Sequence, residues 1–142
     1  MNQDWKEISV DWLGDYAYHG INDAGGSLQL GTYEGKPGVS PMELLLFGVA
    51  GCTAVDVVSI LTKKRKELRK FKVSVRGKRA DQHPKVWTEI EVTYHLGGTD
   101  LDDKSVEQAI QLSEEKYCSA SAMLSATAQI HSNYVIYSDD KS

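Results

Sequence analysis

Two cysteines are the residues of this sequence best suited to chemistry. Cys52 lies within the apolar segment SPMELLLFGVAGCTAVDVVSIL, residues 40–61, and Cys118 follows LSEEKY, residues 112–117. An ionised thiol is a nucleophile, and two thiols that meet can cycle between a dithiol and a disulfide. Their separation along the chain does not show whether the two thiols meet. That depends on the secondary-structure elements in which each cysteine lies.

Cys52 is predicted to lie on a long helix from Pro41 to about Leu68. Ser40 is a good N-cap, Pro41 suits the first helical position, and Glu43 completes a capping box. At about 100° per residue, Asp56 falls on the same face as Cys52, so it is a candidate supporting residue. The alternative is that Cys52 is a small buried hydrophobe and that Asp56 is paired locally.

Cys118 is predicted to stand between two helices, over Asp102–Tyr117 and Ser119–Ala128. The second of these would present free backbone N–H groups to the thiol, and such a position favours the thiolate. Cys52, well inside its helix, gains little from a helix dipole and would need a cation or a donor.

The remaining segments alternate between period-two strand patterns and turn signals, which predict an α+β fold with antiparallel strands. The whole chain, residues 1–142, is predicted to be one domain. The predicted strands are Trp5–Leu13, Asp15–Ile21, Ser27–Tyr33, Phe71–Ala80, Lys85–Leu96 and Gln129–Ser138.

The long helix is apolar on every side around Cys52, and such a helix must be covered on every side. We therefore expect a homodimer with these helices near the interface, where Gly48 and Gly51 would allow close approach. The alternative is that the second and third helices cover the far face within one chain.

Composition and charge exclude several classes of function. The net charge of −4 disfavours nucleic acid as a partner, and the basic run Lys63–Lys70 is expected to be a solvated helix end, with anion binding as the alternative. No signal peptide is predicted at the N-terminus, and Asp56 near the middle of Leu44–Leu61 opposes a membrane span. We expect a cytoplasmic protein without a structural disulfide.

No cofactor or metal is expected. The four histidines are scattered without ligand spacing, and the chain has no CxxC pair. The glycine-rich stretches DAGGS and LGGTD lack the strand-to-helix context of a phosphate loop.

The two cysteine motifs together resemble the OsmC/Ohr family, named for osmotically inducible protein C and organic hydroperoxide resistance protein. The residues that carry the likeness are SPMELLLFGVAGCTAVDVVSIL and LSEEKYCSASAML, and in detail they are most similar to the YhfA-type branch. The resemblance implies an intertwined homodimer whose sheets wrap two long central helices. It also implies thiol peroxidase chemistry, with Cys52 as the peroxide-attacking cysteine, Cys118 as the resolving one and an external thiol as reductant.

Two parts of that machinery are not matched. The peroxidases have an activating arginine in the N-terminal region, whereas the first arginine here is Arg65. They also have a glutamate directly after the helix-starting proline, where this chain has Met42. Glu43 lies nine residues before Cys52, on the opposite helix face, so it is a weaker supporting candidate and its expected role is capping. A cation could still come from one of the four arginines, Arg65, Arg69, Arg76 or Arg79.

The sequence therefore leaves three hypotheses. The first is an OsmC-like redox protein with a two-cysteine site that reduces organic hydroperoxides in oxidative stress defence. The second is a non-catalytic homodimer that binds a small apolar molecule or a thiol metabolite in its interface pocket. The third is a structural interaction protein, which predicts no pocket beside Cys52.

Overall fold

The computed structural model describes residues 5–137. The residues before position 5 and Ser138, the predicted end of the last strand, lie outside that range. The element order matches the predicted α+β succession: β1 (Ile8–Gly14), β2 (Ala17–Asn22), β3 (Ser27–Leu30), α1 (Pro41–Lys63), β4 (Glu67–Arg79), β5 (Trp87–Thr99), α2 (Asp103–Leu112), a π-helical turn (Ser113–Tyr117), α3 (Ser119–Leu124) and β6 (Gln129–Tyr137).

The chain contacts divide into two compact units, residues 5–44 and residues 45–137. The prediction of a single domain over residues 1–142 stays a prediction. The first unit is a three-stranded antiparallel sheet in the order β1-β2-β3, with an apolar groove of about 400 Å³. The groove is lined mainly by Ile8, Val10, Ile21, Leu28, Leu30 and Leu44.

The predicted capping box starts α1. The backbone N–H of Ser40 donates to Glu43 Oε1 at 2.8 Å, and the backbone N–H of Glu43 donates to Ser40 Oγ at 3.2 Å. Two backbone donors that the helix itself leaves unpaired are thereby satisfied, so the helix begins at Pro41 as predicted.

The second unit contains a sheet in the order β4-β5-β6. β4 pairs with β5 antiparallel, but β5 pairs with β6 in parallel. The prediction of wholly antiparallel sheets is therefore wrong for this pair. Three helical segments, α2, the π-helical turn and α3, separate β5 from β6, and a connection of that length lets the chain cross over and return in the same direction.

The core of this unit combines one helix stripe with one sheet face. Every fourth residue of α1 from Val49 to Leu61 is fully buried, and so are alternate residues of β5; one face of α2 is buried as well. These spacings are the ones at which side chains share a face in a helix and in a strand. The buried residues are Val49, Thr53, Val57, Leu61, Ile90, Val92, Tyr94, Leu96, Val106, Ala109 and Ile110.

The other faces of α1 stay exposed in the single chain. Val55 is 70% exposed and Phe47 is 58% exposed, and Leu45 and Val58 are also exposed. The alternative in which the second and third helices cover the far face of α1 within one chain is therefore wrong for the described residues. Something other than these helices must cover an apolar surface of this extent in water.

The end of α1 differs from the prediction. The helix ends at Lys63 rather than near Leu68, because Arg65 adopts a left-handed conformation with φ of 62°. The backbone N–H of Lys66 donates to Leu61 O and that of Arg65 donates to Thr62 O, which is a Schellman motif without glycine. The basic run Lys63–Lys70 is thus split between the helix end, a turn and β4, not a helix end throughout.

One helix among the described residues, α1, is long and apolar enough to cross a membrane by length and composition. The core helix of a globular protein passes the same test. Here α1 packs a buried stripe inside its unit, and Asp56 near its middle is hydrogen-bonded to Ser113.

Candidate thiol site

The structure brings the two cysteines together. Cys52 lies in the middle of α1 and is partly exposed, whereas Cys118 follows the π-helical turn and is only 3% exposed. The Cys52 side chain is close enough to interact with Cys118, and this interaction raises the pKa of the Cys118 thiol. Both thiols are free. Two free thiols from segments distant in sequence are therefore neighbours in the fold.

Cys118 is the N-cap of α3. Its Sγ accepts hydrogen bonds from the backbone N–H of Ser121 at 3.3 Å and from Ser121 Oγ at 3.1 Å. Its own backbone N–H donates to Ser113 O at 2.6 Å, which closes the π-helical turn. Ser121 thus holds the Cys118 sulfur, and Ser113 holds the Cys118 backbone.

Burial raises the pKa of the Cys118 thiol, and the hydrogen bonds from Ser121 oppose it. Cys52 adds to the increase in the pKa of Cys118, first through a side-chain hydrogen bond and then through charge repulsion. The prediction that the start of α3 favours a Cys118 thiolate is therefore wrong in its net effect. The donors are present as expected, but desolvation is the larger influence.

Asp56 pairs with the same segment that holds Cys118. Ser113 Oγ donates to Asp56 Oδ2 at 2.9 Å, and Ser113 itself is fully buried. One turn before Cys52, a Cβ added to Gly48 would lie 4.0 Å from Ala120 Cβ, so α3 contacts α1 there. Gly48, Cys52 and Asp56 thus form one face of α1 that runs along the segment from Ser113 to Ser121.

Glu114 follows Ser113 in the chain and was not singled out from the sequence. Its carboxylate accepts a hydrogen bond from Tyr94 Oη at 2.6 Å and another from Ser132 Oγ. Burial raises the pKa of Tyr94 well above its ordinary value, and the Glu114 hydrogen bond raises it further. The sequence signal that could have pointed to this contact is Tyr94 itself, a tyrosine on the apolar side of a predicted strand. A buried tyrosine hydroxyl needs a hydrogen-bond partner.

The predicted supporting residue Glu43 is exposed and is occupied by the capping box. The arginines of β4 have other partners: Arg76 Nε donates to Glu91 Oε1 and Arg79 Nε donates to Lys85 O. Within residues 5–137, the main influences on the Cys118 thiol are burial, Ser121 and Cys52, and none of these is a positive charge.

An open groove of about 430 Å³ begins one helical turn beyond Cys52. It is lined by Asp56, Ser59, Ile60, Lys63, Lys64, Leu112 and Tyr117. Lys64 Nζ donates to Gln108 Oε1 at 2.6 Å, so one of the two lysines is already engaged. Among the described residues no group of three histidine, cysteine, aspartate or glutamate side chains is placed to bind a metal ion.

This chain is similar to a known protein family and to a protein of Escherichia coli. The family described as OsmC-like protein matches residues 33–133. Protein YhfA of Escherichia coli strain K12 is 34% identical over 130 residues, which cover 92% of this chain and 97% of that protein.

Two solved structures place the fold. A hypothetical protein from Aquifex aeolicus VF5 has a TM-score of 0.84 and 34% identity, covering 94% of this chain and 97% of that one. The organic hydroperoxide resistance protein OhrB of Bacillus subtilis has a TM-score of 0.63 at 17% identity, over 92% and 98% of the two chains. The second likeness concerns the fold alone. The chain belongs to the OsmC-like family.

Proposed function

We propose that this chain is a thiol redox protein that uses Cys52 and Cys118 to reduce organic hydroperoxides. The observation that carries the proposal is the pairing of the two free thiols across α1 and α3. The fold shared with an organic hydroperoxide resistance protein also supports the proposal. The cytoplasmic location expected from the sequence is a reducing one, which suits a cycling dithiol.

The chemistry divides between the two sulfurs. The Cys52 thiolate attacks one oxygen of the hydroperoxide, the O–O bond breaks, and the other oxygen takes a proton and leaves as the alcohol. The sulfur is oxidised by two electrons to a sulfenic acid. Cys118 then attacks that sulfur, the S–S bond forms, and the hydroxyl leaves as water with the Cys118 proton. An external dithiol reduces the disulfide and becomes a disulfide itself.

The environments favour this assignment of roles. Cys52 is the more exposed thiol and can meet an external oxidant, whereas Cys118 is buried and its pKa is raised. A thiol held protonated is a poor first nucleophile, but it can supply the proton that the departing hydroxyl needs. Ser121 then stabilises the Cys118 sulfur when it leaves during reduction, because it directs two donors at it.

The test is the consumption of tert-butyl hydroperoxide in the presence of dithiothreitol. Wild type should consume the peroxide, and Cys52→Ser should fall to the rate without protein. Cys118→Ser should still form a sulfenic acid that dimedone traps, but no internal disulfide. Ser125→Ala, which removes a hydroxyl from the end of α3, is the matched control and should keep the wild-type rate. Equal rates for wild type and Cys52→Ser would refute the proposal.

The proposal includes an intertwined homodimer. The uncovered faces of α1 and the groove of the first unit are exposed apolar surfaces, which are unfavourable in water. In a homodimer, the second copy of the chain would supply an apolar surface to cover each of them. Sedimentation should give twice the chain mass of 15.7 kDa. Val55→Lys should shift the mass towards that of one chain, whereas Val135→Lys on β6 should not. A wild-type protein of single-chain mass would contradict the dimer.

A second function is favoured because, within residues 5–137, no positive charge is among the main influences on the Cys118 thiol. In that case the protein is a non-catalytic homodimer that binds a small apolar molecule or a thiol metabolite. Thiols that do not react with hydroperoxide, together with such a compound released from purified protein in mass spectrometry, would favour it.

A further inference from the structure

The π-helical turn Ser113–Tyr117 is fixed on two sides immediately before Cys118. Ser113 Oγ donates to Asp56 Oδ2 of α1 at 2.9 Å. The next residue, Glu114, accepts from Tyr94 Oη of β5 and from Ser132 Oγ of β6. Adjacent residues therefore tie the turn to the helix that bears Cys52 and to the sheet.

The link from Asp56 to Cys118 continues through the backbone. Ser113 O accepts the Cys118 N–H at 2.6 Å, the bond that spans five residues and makes the turn a π-helix. Such turns are rare in proteins, but those that occur are often found at functional sites. Asp56 is one helical turn from Cys52, so the same helix face bears one thiol and grips the segment that presents the other.

We infer that Asp56 and Ser113 are positioning residues that hold the Cys118 sulfur against Cys52 and so set how readily the two form a disulfide. The inference rests on the proposed dithiol chemistry but concerns a separate property. Two thiols held in a fixed geometry react with each other as if they were highly concentrated, and loosening one of them lowers that effective concentration. Neither Asp56 nor Ser113 takes part in bond making.

The experiment measures the equilibrium between the dithiol and the disulfide in glutathione buffers. The balanced reaction is the protein dithiol plus glutathione disulfide giving the protein disulfide plus two glutathione molecules. The fraction oxidised is read by thiol labelling and mass spectrometry. This readout reports the mutual placement of the thiols, which a general loss of stability in a protein that stays folded does not change.

Asp56→Ala and Ser113→Ala should each lower the equilibrium constant roughly three- to tenfold, the effect expected for one lost hydrogen bond. The double variant should fall no further, because both changes remove the same contact. Asp56→Asn keeps an oxygen that accepts from Ser113 and should stay within about twofold of wild type. Ser125→Ala, which loses a hydroxyl bonded to Ala122 O on α3, should leave the constant unchanged.

The outcomes separate this inference from the proposed function. Wild type that forms no Cys52–Cys118 disulfide would overturn the dithiol function and the inference with it. Wild type that forms the disulfide while folded Ser113→Ala has the same constant would overturn the inference alone. The inference alone would also fail if Asp56→Asn matches Asp56→Ala, because charge rather than the contact would then matter. If Asp56→Ala does not fold, the constant of Ser113→Ala alone supports or overturns the inference.

Discussion

Replacing Tyr94 by phenylalanine should destabilise the protein measurably without disturbing its packing. Tyr94 is fully buried, and its hydroxyl donates to Glu114 Oε2 at 2.6 Å. A hydrogen bond to a charged group contributes about 1.5–3 kcal/mol. Glu114 keeps the Ser132 donor and is only half-buried, so little desolvation cost remains on its side. We therefore expect a loss at the lower end, about 1.5–2 kcal/mol.

The same substitution should change the alkaline stability. Because the pKa of Tyr94 is raised in the folded state, its stabilisation is complete below the ordinary tyrosine pKa near 10 and is lost as the pH rises beyond it. Wild type should therefore lose stability above pH 10 by up to about 1.4 kcal/mol per pH unit from this group. Tyr94→Phe lacks that contribution, so its deficit relative to wild type should shrink with increasing pH.

Urea denaturation at pH 7 and in steps above pH 9 measures both effects. Tyr16→Phe is the matched control, since Tyr16 is 89% exposed and its loss should leave the whole curve unchanged. A deficit below about 0.5 kcal/mol at pH 7 would refute the reasoning, because it would mean that the hydroxyl finds water as good a partner as Glu114. A deficit that grows above pH 10 would refute the assigned pKa direction.

Three further predictions concern stability and are measured by denaturation. Gly77→Ala would place a Cβ 2.8 Å from the ring of buried Trp87 and should cost about 1–3 kcal/mol, whereas Gly97→Ala makes only ordinary contacts and should cost less. An equal effect of the two would contradict the packing argument. Hydrogen bonds at the start of α2 lower the pKa of Asp102 to about 2. The Asp102 carboxylate stabilises the folded state above its ordinary pKa near 4, and this stabilisation is lost as the pH falls towards 2. The difference in melting temperature between wild type and Asp102→Ala should therefore narrow from pH 4 to pH 2. A constant difference would contradict this. Arg65→Gly removes the backbone strain of a left-handed residue at the end of α1, so it should raise the free energy of unfolding by about 0.5–1 kcal/mol. A lower free energy of unfolding would contradict this.

Much of the fold was predictable from local signals. The box formed by Ser40 and Glu43 marks the start of α1, and alternation in β5 gives both the strand and its buried face. The end of α1 was missed because Arg65 takes the position where glycine is the usual signal. The parallel pairing of β5 with β6 is a long-range choice that strand patterns do not encode.

The site was predictable residue by residue but not as an arrangement. Cys52, Cys118 and Asp56 were named from their types and their helical spacing. Sequence could not show that Ser113 is the partner of Asp56, because that contact depends on how α1 packs against a segment 57 residues away. Glu114 was missed for the same reason, since its partners Tyr94 and Ser132 lie on two strands that only the folded sheet makes neighbours.

The π-helical turn makes chain length itself a constraint in this region. A wide turn holds one residue more than an α-helix would place between the same ends, so deleting one residue from Ser113–Tyr117 would let the helix close normally. Cys118 would then stay near its present place, whereas adding one residue would rotate every residue downstream by about 100° and move the Cys118 sulfur away from its partner although no catalytic side chain had changed. The turn Ser113–Tyr117 therefore tolerates the loss of one residue better than the gain of one.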